Sequence, residues 1–181
     1  MEEMIFYAEK MDFKSRIKKD IIIKVITFLF FFSIILFSIK NYRFGIIEIL
    51  FTLFFIAIIV ITTLQESIDY IYEIRINNQN IKIFGEKFNQ KWEETIDLQK
   101  VNIKIIERRS KTGSIVGYLI DLKTKEKKYR INRLFNWNNF TLYEIFKTFK
   151  TVKKEKIIID EKSLIDGIEK RAKEKFEWQN T

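Results

Sequence analysis

The chain has 181 residues, no histidine, cysteine or proline, and a formal charge of +9 from 33 Lys and Arg against 24 Asp and Glu. The lack of imidazole and thiol excludes the usual zinc ligands, the thiol nucleophile, the commonest general base and any disulfide. Apolar residues crowd the first third and charge dominates the rest, so the chain reads as two unlike parts.

Residues 1–20 form a basic amino-terminal segment carrying Lys10, Lys14, Arg16, Lys18 and Lys19. Two apolar runs follow, 21–39 and 46–64, separated only by Lys40 to Gly45. Each approaches the ~20 residues a helix needs to cross hydrocarbon, where a backbone must satisfy its own hydrogen bonds. Neither run shows a polar stripe at helical period. Lys24 and Glu48 sit near the helix starts, where long side chains reach the interface. The expectation is a two-helix transmembrane hairpin. The basic residues before it outweigh Lys40 and Arg43 in the loop. This predicts a multi-pass protein of the inner (cytoplasmic) membrane with both termini in the cytoplasm. There is no Gly-x-x-x-Gly seam and no charge deep in either run, which fits an anchor rather than a channel.

Residues 65–181 are enough for one small domain with its own core. Tyr70 to Ile76 alternates apolar and polar, Asn77-Asn78-Gln79-Asn80 supplies a turn, and Ile81 to Phe84 returns, which predicts a β-hairpin. Further strands are expected at 88–92, 101–105, 115–122 and 127–132, with Val116, Tyr118, Ile120 and Leu122 facing inward. Asn139 is a candidate helix cap before Leu142, Ile145, Phe146, Phe149 and Val152 at helical spacing. A last helix is predicted from Ser163, with Leu164, Ile165, Ile168, Ala172 and Phe176 on its apolar face and Trp178 near its end. The predicted fold is a membrane α-hairpin plus an α+β domain, an antiparallel small β-barrel of about 6–8 strands closed by carboxy-terminal helices.

Trp92 with Ile96, Val101, Tyr129-x-Ile131-x-Arg133-x-Phe135 and the helix from Phe140 to Phe149 resemble the barrel pattern of the YcxB-like, pleckstrin-homology-like bacterial membrane proteins. The overall layout also resembles the two-transmembrane β-barrel effectors of cyclic-oligonucleotide antiphage signalling. The first resemblance implies a headgroup- or protein-binding adaptor, and the second implies a nucleotide sensor that acts on the membrane.

Between Lys100 and Arg133 basic residues far outnumber acidic ones. Lys104, Arg108, Lys128 and Arg130 share the outward parity of neighbouring strands, and Arg109 and Arg133 lie beside them. Guanidinium groups bind phosphate bidentately and lysines add point charge, so these residues are candidate phosphate ligands. The same residues also describe a solvated face of a basic protein. Trp92 and Trp137 are candidate ring contacts to a ligand, although rings so placed more often plug a core. No glycine-rich phosphate loop, carboxylate metal loop or catalytic constellation is present in the sequence.

The functional expectation is therefore a non-enzymatic sensor-effector without cofactor. Its basic barrel binds a phosphate-bearing ligand such as a cyclic nucleotide and drives membrane perturbation through the hairpins. The alternative is the pleckstrin-homology-like adaptor. The expected partners are the bilayer, an anionic small molecule (nucleotide or lipid headgroup) and further copies of the chain, with no specific nucleic acid.

Overall fold

The computed structural model describes residues 3–38, 46–110, 112–134 and 136–179. In chain order the elements are β1 (Met4–Tyr7), α1 (Phe13–Ser38), α2 (Ile46–Ile68), β2 (Asp69–Ile76), β3 (Asn80–Lys87) and β4 (Gln90–Asp97). A 3-10 turn (Leu98–Lys100) leads to β5 (Asn102–Arg109), β6 (Ile115–Lys123), β7 (Lys128–Ile131), α3 (Asn139–Lys153) and α4 (Ile159–Gln179). They divide into two compact units, one of residues 1–10 with 70–181 and one of residues 11–69.

The helical unit contains α1 and α2. Helix α1 starts well before the apolar run, so its first turns include Lys14, Arg16, Lys18, Lys19, Asp20 and Lys24. Helix α2 continues beyond its run through Gln65, Glu66 and Ser67. Among the described residues no helix is long and apolar enough to cross a membrane. That finding overturns the expected transmembrane helices at 21–39 and 46–64, together with the multi-pass inner-membrane location and the cytoplasmic topology derived from them. The apolar runs do form helix, but the helices do not share their bounds with the runs and take in charged flanks that hydrocarbon disfavours. The link at 39–45 lies outside the described residues. Arg16 is fully buried, with a guanidinium N–H donating to the Met11 carbonyl at 3.1 Å and the group lying over the Phe13 ring. On α2 the consecutive residues Leu53, Phe54, Phe55 and Ile56 are all exposed, so apolar surface runs round the helix rather than along one stripe.

The other unit is built from strands. Sheet one has the order β1-β2-β3-β4 and sheet two the order β5-β6-β7, with antiparallel pairing throughout the recorded registers. Neither sheet closes into a barrel, which corrects the expected architecture. Alternation assigns faces to strands but says nothing of which edges bond. The 3-10 turn at Leu98–Lys100 intervenes before β5, which opens a second sheet instead of extending the first. Trp92 lies against Tyr129 (ring centroids 6.4 Å apart), so β4 and β7 meet through side chains and not through a hydrogen-bond ladder.

Both sheets contribute to one core. Ile74, Ile81 and Ile83 come from sheet one and Ile105, Ile120, Leu122 and Ile131 from sheet two. Helix α3 adds Leu142, Ile145, Phe146 and Phe149, all fully buried, and α4 adds Ile165 and Ile168. Each such side chain contributes about 1.5–3 kcal/mol by leaving water. Asn138, not Asn139, caps α3, its Oδ1 accepting from the Thr141 N–H at 2.6 Å. Helix α4 begins at Ile159, before the expected Ser163, and Ile157 and Ile158 ahead of it are exposed. Val116, expected inside, is 54% exposed at the register shift, where Arg108 pairs with Gly117 and Arg109 with Ile115. Strand β1 falls within the segment expected to be merely basic. It pairs with β2 from Met4↔Ile76 to Tyr7↔Glu73, so the two halves of this pair flank the whole helical unit in sequence.

Candidate functional site

The register of sheet two sets the charge pattern of its outer face. Lys104 stands opposite Asp121, Asp121 opposite Arg130, and Lys123 opposite Lys128. Asp121 is 5% exposed, yet it is fully compensated. Arg130 donates from Nε to Oδ1 at 2.7 Å and from Nη2 to Oδ2 at 3.1 Å, and Lys128 Nζ reaches Oδ2 at 2.7 Å. Burial alone would raise the Asp121 pKa. The hydrogen bonds and charges of Arg130 and Lys128 outweigh it and hold the carboxyl below its ordinary 3.8. The same bonds raise the pKa of Arg130. Two of the expected phosphate ligands are therefore bound to an internal carboxylate.

The remaining candidates are dispersed. Lys104 is exposed on the same face. Arg108 donates to the Arg133 carbonyl at 3.2 Å, which ties β5 to the segment after β7. Arg109 is turned to Glu107, with Nε at 2.9 Å and Nη2 at 2.5 Å from Oε2. Arg133 is half-buried. Trp137 is 3% exposed, and its indole N–H donates to the Ile71 carbonyl at 3.1 Å. Its backbone N–H bonds Asn132 Oδ1, while Asn132 Nδ2 bonds the Tyr118 carbonyl. Trp137 thus belongs to the core and to the stitching of the β7–α3 loop. Trp92 is half-buried over Gly85. Lys111 and Phe135 lie outside the described residues.

A cleft of about 1040 Å³ opens where β4 and the 3-10 turn face the Thr124–Lys127 turn between β6 and β7. Its lining includes Glu94, Ile96, Lys100, Lys123, Lys125, Lys127 and Tyr129. The turn is built locally, because Thr124 Oγ1 accepts from the N–H groups of Glu126 and Lys127 and so holds Lys125 at its tip. Among the described residues Lys100, Lys123 and Lys125 make no ion pair. Lys127 bridges to both Glu94 oxygens at 3.0 and 3.1 Å. No family model, curated protein or solved structure matches this chain.

Tyr129 is the unusual member of the lining. It is 9% exposed, and its hydroxyl is buried beside the Glu94 carboxylate. Burial, then the nearby Glu94 carboxylate, pushes its pKa upward. Burial also works to raise the pKa of Glu94, but Tyr129 and Lys127 more than offset this and lower it. Sequence reasoning counted the lysines here among the basic residues without assigning them, and missed Glu94 and Tyr129. A signal existed: Glu94 sits between Trp92 and Ile96 at the inward parity of its strand, an unlikely place for a solvated carboxylate. Among the described residues no group of His, Cys, Asp or Glu forms a candidate metal site.

Proposed function

We propose that this protein is a non-enzymatic binding module for a small phosphate-bearing molecule, seated in the cleft between β4 and the β6–β7 turn. The observation that carries this reading is the convergence of Lys100, Lys123 and Lys125, without ion-pair partners among the described residues, on one open cleft. Lysines so placed offer point charge to a phosphate without first breaking a bridge. Lys104, Lys128 and Arg130 lie on the adjoining outer face, where their field steers an anion inward. A nucleotide is one molecule of this class. A phosphate carried on a lipid headgroup offers the same charge to the same lysines and is the alternative ligand. The membrane-perturbing role expected from sequence is not retained, since it required spanning helices, and among the described residues no helix is long and apolar enough to cross a membrane.

Titration of the full chain with inorganic phosphate, followed by calorimetry, tests the reading. Binding should weaken on raising salt, because exposed charge pairs are screened over ~10 Å at 0.1 M. Reversing Lys123 and Lys125 to Glu should lower affinity at least ~10-fold, about 1.4 kcal/mol. Titration with phosphatidate-containing vesicles distinguishes the headgroup source: a response to vesicles with none to free phosphate would favour the headgroup. Free-phosphate binding that ignores both salt and the double reversal would overturn the cleft assignment.

A further inference from the structure

We infer that this chain associates with a second copy of itself through one face of α2, in an antiparallel two-fold pairing centred between Ile58 and Ile59. The inference goes beyond the proposed function and does not depend on the cleft. It starts from an excess of uncovered apolar surface. Among the described residues of α1 and α2, twelve large apolar side chains are between 39% and 62% exposed. Together they leave on the order of 1,000 Å² uncovered, taking ~200 Å² for a large side chain. The largest apolar patch of a monomer is ~300–600 Å², whereas a standard interface takes ~800 Å² from each partner.

Spacing decides what fits on it. Within the apolar surface that runs round α2, Leu53, Ala57, Val60 and Leu64 are exposed at steps of four, three and four. That is the seam by which one α-helix meets another. It lies about a quarter turn from Thr63, a buried residue that marks a side of α2 already covered. No charged residue interrupts residues 53–64. The Thr62 hydroxyl donates to the Ile58 and Ile59 carbonyls at 2.9 and 3.1 Å, so covering it strands no polar group. The seam is also complementary to itself. Laid antiparallel on a copy, Leu53 meets the partner's Leu64, and Ala57 makes room for the partner's Val60. Each contact recurs across the axis, as a closed two-fold interface requires.

Sedimentation equilibrium of the full chain at micromolar concentration should give twice the chain mass. Val60→Lys sets two like charges near the axis and should raise the dimer dissociation constant at least ~100-fold, as like-charge contacts do. Val60 is 43% exposed in the single chain, so helix content should hold in this variant. The chain has no cysteine, so an introduced thiol reports alone. Leu53→Cys mixed with Leu64→Cys should give disulfide-linked pairs under oxidation. Leu53→Cys by itself should not, because its two copies lie about 16 Å apart along the helix axes, beyond disulfide reach. Crosslinking of Leu53→Cys to itself would overturn the antiparallel pairing. A monomer mass without crosslinks would overturn the inference outright, and flotation of that monomer with phospholipid vesicles would assign the face to lipid instead. A dimer that survives Val60→Lys, with no crosslink in the mixture, would overturn it too by placing the interface elsewhere on the chain.

Discussion

Reversing Arg130 to Glu should destabilise the strand unit by about 3 kcal/mol or more, in the range seen when a buried ion pair loses one partner. The cost arises at Asp121, whose side chain is 6% exposed and whose oxygens are both engaged by Arg130. The reversal removes those bonds and sets a second carboxylate against the first. Lys128 alone then remains as counter-charge. Urea unfolding should show the loss as a lower midpoint with an unchanged slope. Asp121→Asn added to the reversal should recover part of it, because it removes the like-charge contact. A midpoint within error of wild type would show that the pair is not formed in solution. The pair also fixes the acid behaviour. The folded pKa of Asp121 lies below the ordinary 3.8, so its contribution is complete above that value and disappears as pH falls through the folded pKa. Glu155, held by Lys153 at 2.8 Å and Lys150 at 3.1 Å against a burial penalty, acts in the same sense below 4.5. Asp121→Asn should therefore flatten the loss of stability on acidification.

A second large effect is expected at Gly85. It stands opposite Trp92 in the β3–β4 register, and a Cβ placed there would lie 2.3 Å from Trp92 Cζ2 and 2.4 Å from Cε2. No rotamer change at residue 85 relieves such a contact, so the indole must leave its place beside Tyr129. Gly85→Val should cost about 2–3 kcal/mol, as overpacking does in a well-filled site. It should also shift the tryptophan emission to the red as Trp92 enters water. Trp92→Ala in the same chain should restore space, making the pair strongly non-additive. Additive losses would place the strain elsewhere.

The parts of this fold that were legible in sequence are those governed by local pattern. Alternation from Tyr70 to Ile76 and the Asn77 turn gave the β2–β3 hairpin, with Asn77 Oδ1 accepting from the Gln79 and Asn80 N–H groups. Helical spacing from Leu142 to Phe149 gave α3 and its buried face. Strand β1 was not legible, because Met4-Ile5-Phe6-Tyr7 has no alternation and its partner lies beyond both helices. The apolar runs were plain, but their pattern does not report where the helices begin and end. Parity placed Lys104, Lys128 and Arg130 on one face. Only the register, which depends on two turns and a bulge, put Asp121 among them and converted presumed ligands into an internal ion pair. The cleft depends on how two sheets meet, which no single strand encodes. Glu94 at an inward position was its one local trace.

The pairing of β1 with β2 makes the helical unit an insertion within a β-hairpin, and this governs how the protein tolerates being cut. A chain begun at residue 65, where the composition changes, would lack a strand. It would expose the free edge of β2 and invite strand-to-strand aggregation. The Ala8 N–H bonds the Tyr72 carbonyl, and the Tyr70 hydroxyl approaches the Glu9 carbonyl, so the two ends of the insertion lie side by side on the sheet. Continued from Tyr7↔Glu73, the register sets Glu9 opposite Ile71, so a short Asn-Gly turn joining those two suits the natural twist of the pair. The strand unit is therefore separable by splicing and not by truncation.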